Sequence, residues 1–248
     1  MSSRYLGREG MIWFLGIVED RDDPLKLGRV RVRIKDIYSA STSLVPTSEL
    51  PWATVIMPAY SPSYNKVGIS PTGLMVGATV VGFFFDSNDS NHPFVFGTFF
   101  GIPDNNATKH EVPEVARGVN NVQKSLDEYE PESAFNARYP FNRVIRTESG
   151  HIIELDDTPG KERLHIYHKS GTYREINNEG RLVEKIVGDH FEIVLGDQTV
   201  HVKGNVKIVV DNNVDMEVGG NFKLNISGTC DIQSGGNMSL TAPRIDLN

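Results

Sequence analysis

The residues able to do chemistry are few, and their spacing limits what each could do. His165 and His168 stand three apart in a stretch of alternating polarity. On a strand their rings point to opposite faces, which argues against a shared metal and for structural histidines. His190 and Glu192 stand two apart and share a face. Repeated around a three-fold axis they would form stacked rings able to hold water, an anion or a metal ion, with a hydrated polar segment as the simpler expectation. Asp189, Asp197 and Asp211 invite a calcium β-roll. That roll needs Gly-Gly-x-Gly-x-Asp turns every nine residues, whereas the phased glycines here recur every eight without that turn. Arg29, Arg31 and Arg33 form a basic row on one side of a strand. Such a row can hold a nucleic-acid strand when aromatic rings accompany it. Acidic residues match basic ones across 1–101, however, so a solvated face or a protein contact is expected there, and no nucleic acid. Cys230, the single cysteine, allows no internal disulfide and no cysteine-based zinc site, and its place in the repeat suggests a small buried hydrophobe. No catalytic residue and no cofactor is expected from these sets.

The chain that must position them has 248 residues, with 25 basic and 32 acidic side chains and a net charge of −7. That is ample length for one or two buried cores. Hydrophobic residues at 39% exclude wholesale disorder. No apolar run is long enough for a membrane-spanning helix. The polar start, MSSRYLGREGM, is expected to carry no secretion signal. The acidic balance argues against broad binding to anionic polymers or membranes.

Period-two alternation dominates and helical periodicity is nearly absent, which predicts an all-β protein. Five strands are expected in the first hundred residues, at 11–19, 28–37, 51–58, 77–85 and 93–100. In the second, Val30, Val32 and Ile34 face one way and the three arginines the other. Turn signals separate them, among them Asp22-Asp23-Pro24 and Asp86-Ser87-Asn88-Asp89. Five short strands in this length suit an OB-fold barrel over 1–101. Residues 102–138 are broken by Pro103, Pro113 and Pro131 and poor in apolar side chains, as expected of an extended or wrapping linker. Its acids, such as Glu128, Glu130 and Glu132, have no evident fold to set their spacing. Strands return from 139, at 143–147, 151–156 and 163–168.

From about 180 to 242 the sequence repeats with period eight. Gly180, Gly188, Gly196, Gly204, Gly220, Gly228 and Gly236 fall in phase, and Asn212 fills the gap. Glycine and asparagine both tolerate positive φ, so each phased position is expected to be a corner. Between corners the alternation is strict. Val206, Ile208 and Val210 share a face, then Val214, Met216 and Val218, then Phe222, Leu224 and Ile226. Lys207, Asp215, Glu217, Lys223 and Asn225 occupy the other. One octad cannot bury its apolar side alone, and stacked octads of one chain leave a whole sheet face open. Three chains wound about one axis would close it as a prism. The repeat therefore predicts a homotrimeric, triple-stranded β-helix over 139–248 with those nine residues as its core. Met238 and Leu240 continue the inward face, Pro243 ends it, and Ile245 and Leu247 follow in a tip at 243–248. A blunt apolar end of this kind calls for a cap.

Three blocks carry a resemblance: WFLGIVEDRDDPLKLGRVRVRI at 13–34, LPWATVIMP at 50–58, and YPFNRVIRTESGHIIELDDTPGKERLHIYHKSGTY at 139–173. With the octads and the ending Arg244-Ile245-Asp246-Leu247, the chain resembles the central spike family of T-even-like contractile-tail phages, which is related to the valine-glycine-repeat spikes of type VI secretion. The resemblance implies a spike in the virion tail baseplate that punctures the host outer membrane on sheath contraction. It also implies OB barrels docked on a ring-shaped hub protein and a small conical tip protein at Met238, Leu240, Ile245 and Leu247. A family member carries a lysozyme domain between barrel and needle. Only 102–138 lies there in this chain, too short to build a muramidase cleft around two carboxylates, so enzyme activity is not expected. A peptidoglycan-degrading spike and a calcium-binding β-roll module are the alternatives.

Overall fold

In the segment Trp13–Asp20, WFLGIVED, Phe14, Gly16 and Val18 are buried and the residues between them exposed, and a strand results (β1). The same alternation builds β2 (Val30–Ile34), β3 (Trp52–Val55), β4 (Thr79–Phe84) and β5 (Pro93–Phe99). In this computed structural model, which describes residues 12–65, 67–86, 90–100 and 129–246, the five close into a barrel in the order β1-β2-β3-β5-β4. All pairs are antiparallel except β3 with β5. Phe14, Val18, Val30, Val32, Ile34, Ala53, Val80, Phe84 and Val95 fill the interior. Each fully buried side chain of this size contributes about 1.5–3 kcal/mol. Met11, Ser87 to Asp89 of the fourth turn, residues 102–128 of the linker and Leu247 lie outside the described residues.

Two glycines show how tightly the barrel is built. Gly28, at φ 74°, closes the β1–β2 connection, and a Cβ there would lie 2.5 Å from Pro71. Gly82 has no room for one at all, because a Cβ would fall 2.0 Å from the Phe94 carbonyl oxygen and 2.5 Å from the Phe14 ring. The connection itself is organised by Asp23. Its carboxylate accepts the backbone N–H groups of Leu25 and Leu27 at 3.0 and 2.8 Å and the Arg29 guanidinium at 2.6 Å. The Arg29 bond foremost, with those backbone bonds, holds Asp23 well below the usual carboxylate range against the cost of burial.

A second sheet follows, an antiparallel meander of β6 (Asn142–Arg146), β7 (Ile152–Asp156), β8 (Arg163–Tyr167), β9 (Tyr173–Asn177) and β10 (Leu182–Lys185). The alternation predicts three of these strands, and the structure has five. β9 and β10 are short and carry charges on both faces, so their pattern is weak alone. Gly180, the first of the phased glycines, is the one with positive φ. It turns the β9–β10 hairpin of this sheet.

The chain divides into two units, 1–190 and 191–248. The second bends at residue pairs 195–196, 203–204, 211–212, 219–220, 227–228 and 235–236, eight apart, and the pair 187–188 precedes them in the same phase. Within 191–246 no residue is in a strand.

Candidate functional site

The meander has its polarity reversed. The face buried within the chain is charged, with Glu154, Arg163, His165 and Glu175 all at most 2% exposed. Arg163 joins the two acids: Nη2 lies 2.6 Å from Glu154 and Nη1 donates to Glu175 over 2.7 Å. Residues 129–138, the described end of the linker, run along this face as a strap. Ser133 Oγ and the Ala134 N–H donate to Glu175 at 2.7 and 2.9 Å, and Phe135 lies under the Arg163 guanidinium. His165 Nδ1 stands 3.3 Å from the same carboxylate. Burial disfavours the charged form of Glu175. Hydrogen bonds from His165, Ala134, Arg163 and Ser133 outweigh it and hold the carboxyl far below its usual range. Glu130, expected to have no fold to fix it, is in fact held by the sheet: it accepts from the Tyr173 hydroxyl and pairs with Lys185 at 2.7 Å. Burial first, then the charge of Glu130 and the hydrogen bond to it, push the Tyr173 phenol up to about 12.

The opposite face of the meander is apolar and open. Ile145, Ile153, Leu155, Leu164, Ile166 and Leu182 are each between 44 and 66% exposed. Across it runs a groove of about 390 Å³ with His151 and His168 at one end, their rings 4.4 Å apart. His165 on β8 is buried, and His168, just past the end of that strand, is exposed.

The arginine row is neither solvated nor free. Arg29 is paired with Asp23, Arg31 lies 3.5 Å from Asp20, and Arg33 reaches Glu19 at 2.5 Å. Arg31 also donates to the carbonyls of Thr47, Ser48 and Leu50 and stacks on Trp52, and Arg33 donates to those of Ser39 and Val45. The row cross-braces the barrel to its 39–50 loop, a role invisible in strand alternation because its partners lie 6 to 21 residues away.

The candidates in the octads are solvent-exposed in the single chain. His190, Glu192, Asp189, Asp197, Asp211 and Cys230 are all exposed, and Gln198 donates to Glu192 at 2.7 Å. Among the described residues no three His, Cys, Asp or Glu side chains form a metal cluster. Val206, Ile208, Val210, Val214, Met216, Val218, Phe222, Leu224 and Ile226 are all between 46 and 81% exposed, and so are Met238, Leu240 and Ile245. Gly188, Gly196, Gly204, Asn212, Gly220, Gly228 and Gly236 each lie in a bend, and none has positive φ. A Cβ at any of those glycines would meet nothing within 4 Å.

Comparison with known proteins adds the following. Residues 35–125 match the profile of the Gp5 N-terminal OB domain, and residues 188–211 match three copies of the Gp5 C-terminal repeat. Protein Gp5 of Vibrio phage KVP40 is 32% identical over 272 residues, covering 83% of this chain and 65% of that protein. The pre-baseplate central spike protein Gp5 of Enterobacteria phage T4 is 44% identical over 95 residues, covering 36% of this chain and 16% of its own length. The chain thus spans less than two thirds of either relative.

Proposed function

We propose that the chain belongs with the Gp5 proteins of T4-like phages in the tail baseplate, and that it is a homotrimeric structural spike that works by rigidity. The OB barrel sits on a ring-shaped hub protein, 102–138 leads the chain onward, and 139–248 forms the needle. Sheath contraction drives that needle through the host outer membrane. A small tip protein caps the apolar end at Met238, Leu240, Ile245 and Leu247. The work is mechanical, and no side chain is assigned a catalytic part.

One observation carries this reading: the apolar side chains of the octads have no cover in their own chain. Leaving nine large apolar residues in water forfeits about 1.5–3 kcal/mol each, and three copies about one axis recover it. Two features support it. The open apolar face of the meander asks for the same kind of cover. The phased glycines after Gly180 have neither positive φ nor a close neighbour within the chain, which is what close approach of another chain at the corners would require. Ladder bonds between intertwined chains would make unfolding a concerted unwinding, and so slow.

The deciding measurement is solution mass by light scattering, with and without chelator. Three times the 27.6 kDa of one chain, insensitive to chelator, is expected. A monomer whose folding follows calcium would replace the spike with a β-roll module. A zymogram on peptidoglycan is expected to stay uncleared, and clearing would make the protein an enzyme.

A further inference from the structure

The strap does more than seal a charged face, because its contacts take the strands of the meander in reverse order. Glu130 pairs with Lys185 of β10 at 2.7 Å and accepts the Tyr173 hydroxyl of β9 at 3.2 Å. The Glu132 carbonyl accepts from Arg181, in the β9–β10 turn, at 3.1 Å. Ser133 and Ala134 reach Glu175 of β9, and Phe135 lies under Arg163 of β8. The Arg138 N–H donates to Thr158, just past β7, at 2.9 Å, and β6 opens at Asn142. The chain thus ties itself to β10, β9, β8 and the end of β7 before it enters the sheet at β6. Its first tie spans 55 residues of sequence and is well sheltered, with the Glu130 and Lys185 side chains 9 and 24% exposed. Lys185 ends β10, and the octads follow it in the chain.

We propose that the strap is a tension clamp: a pull that reaches residue 129 is handed at Glu130 to β10 and bypasses β6 to β9. The inference rests on the spike reading above and adds how a pull along the chain enters the needle. A single chain segment carries load only as tension. Without the strap, that tension would act on β6, an edge strand, and peel its ladder bonds from β7 one after another. With it, Glu130, Glu132, Ser133 and Ala134 bear the pull together, on β9, β10 and the turn between them. The leading tie joins two charges largely out of water, and so is stronger than a bond between neutral groups. Breaking it would leave the Lys185 ammonium, three-quarters buried, without its carboxylate, which raises the barrier to opening. Opening under force follows that barrier rather than equilibrium stability.

The test pulls on one chain of the full-length protein in an optical trap, in a Cys230→Ser background with paired cysteine handles. Handles at Glu128→Cys and Asp189→Cys put the clamp on the load path, and handles at Ser149→Cys and Lys169→Cys leave it off. Glu130→Gln removes the charge and keeps an acceptor for Tyr173. At a fixed load it is expected to open about tenfold faster than wild type in the first geometry and within about twofold of it in the second. Lys185→Met removes the same tie from the other side and is expected to do the same. Wild-type opening by both variants in the first geometry overturns the clamp. Equal acceleration in both geometries overturns it too, being the mark of a strap that only stabilises the sheet. Light scattering on the same samples reports the trimer separately. A wild-type mass of one chain overturns the spike reading, whereas either trap result overturns the clamp and leaves the spike standing.

Discussion

The barrel and the octads apply the same strand alternation to opposite ends. In the barrel, alternate residues of five strands meet inside one chain, and Val18, Ile34, Ala53, Val80 and Phe84 are completely buried. In the octads the pattern is at least as regular, but Ile208 stays 81% exposed. The meander stands between them, with its charged face closed in cis by the strap and its apolar face open. Alternation thus sets which side chains share a face, while connectivity and copy number set what covers it. The barrel closes within one chain. The octads find no such cover within their own chain.

The sharpest way to break this contrast is to charge the octad face. Val218→Asp would place three aspartates on the needle axis, and burying unpaired charge costs far more than one interface can return. Complete loss of the trimer is expected, read as a fall in mass to that of one chain. The barrel should survive, and it can be followed separately because both tryptophans, Trp13 and Trp52, belong to it. Wild-type trimer stability in this variant would overturn the inward assignment.

Next in size is the buried charge of the meander. Arg163→Met leaves Glu154 and Glu175 sealed under the strap without their cation, at an expected cost of about 3–5 kcal/mol in denaturant titration. A change within a few tenths of a kcal/mol would mean that the strap opens to water. In the barrel, Gly82→Ala forces a methyl group against the Phe94 carbonyl and should cost about 1–3 kcal/mol, seen in tryptophan fluorescence with the mass unchanged.

The pH response separates the regions again. Glu175 has a lowered pKa in the folded state, so the stability it contributes is complete above its unfolded value of 4.5 and is lost as pH falls below that. Unfolding of the meander should therefore steepen from about pH 5 downward, and Glu175→Gln should flatten that slope. Tyr173 works at the other end. Its contribution is full below pH 10 and disappears as pH rises toward 12.

How much of this was legible follows from the range of each interaction. All five barrel strands could be read from alternation, and the period-eight bends from the glycine phase, because both patterns are local. β9 and β10 were hidden because Arg174 and Glu175, then Glu184 and Lys185, put charge on both faces and break the alternation. The reversed meander itself could not be read: Glu154, Arg163 and Glu175 make sense as buried residues only once Ser133 and Phe135 of the strap lie over them, 19 to 42 residues away in sequence. The arginine row misled for a related reason, since its acids come from β1 and from the turn after it.

The smallest expected effect tests whether barrel and meander act as one folding unit. Arg21, after β1, and Glu148, between β6 and β7, form a bidentate pair with both side chains nearly half exposed. Exposed pairs of this kind exchange Coulomb attraction for water and side-chain entropy, and salt screens what remains. Glu148→Ala should leave the tryptophan-detected midpoint where it is, at low and at high salt alike. A fall in that midpoint would mean that a single exposed contact couples two sheets whose cores are otherwise separate. The contrast between a barrel that is stable by itself and a meander that waits for other chains would then have to give way to one cooperative body.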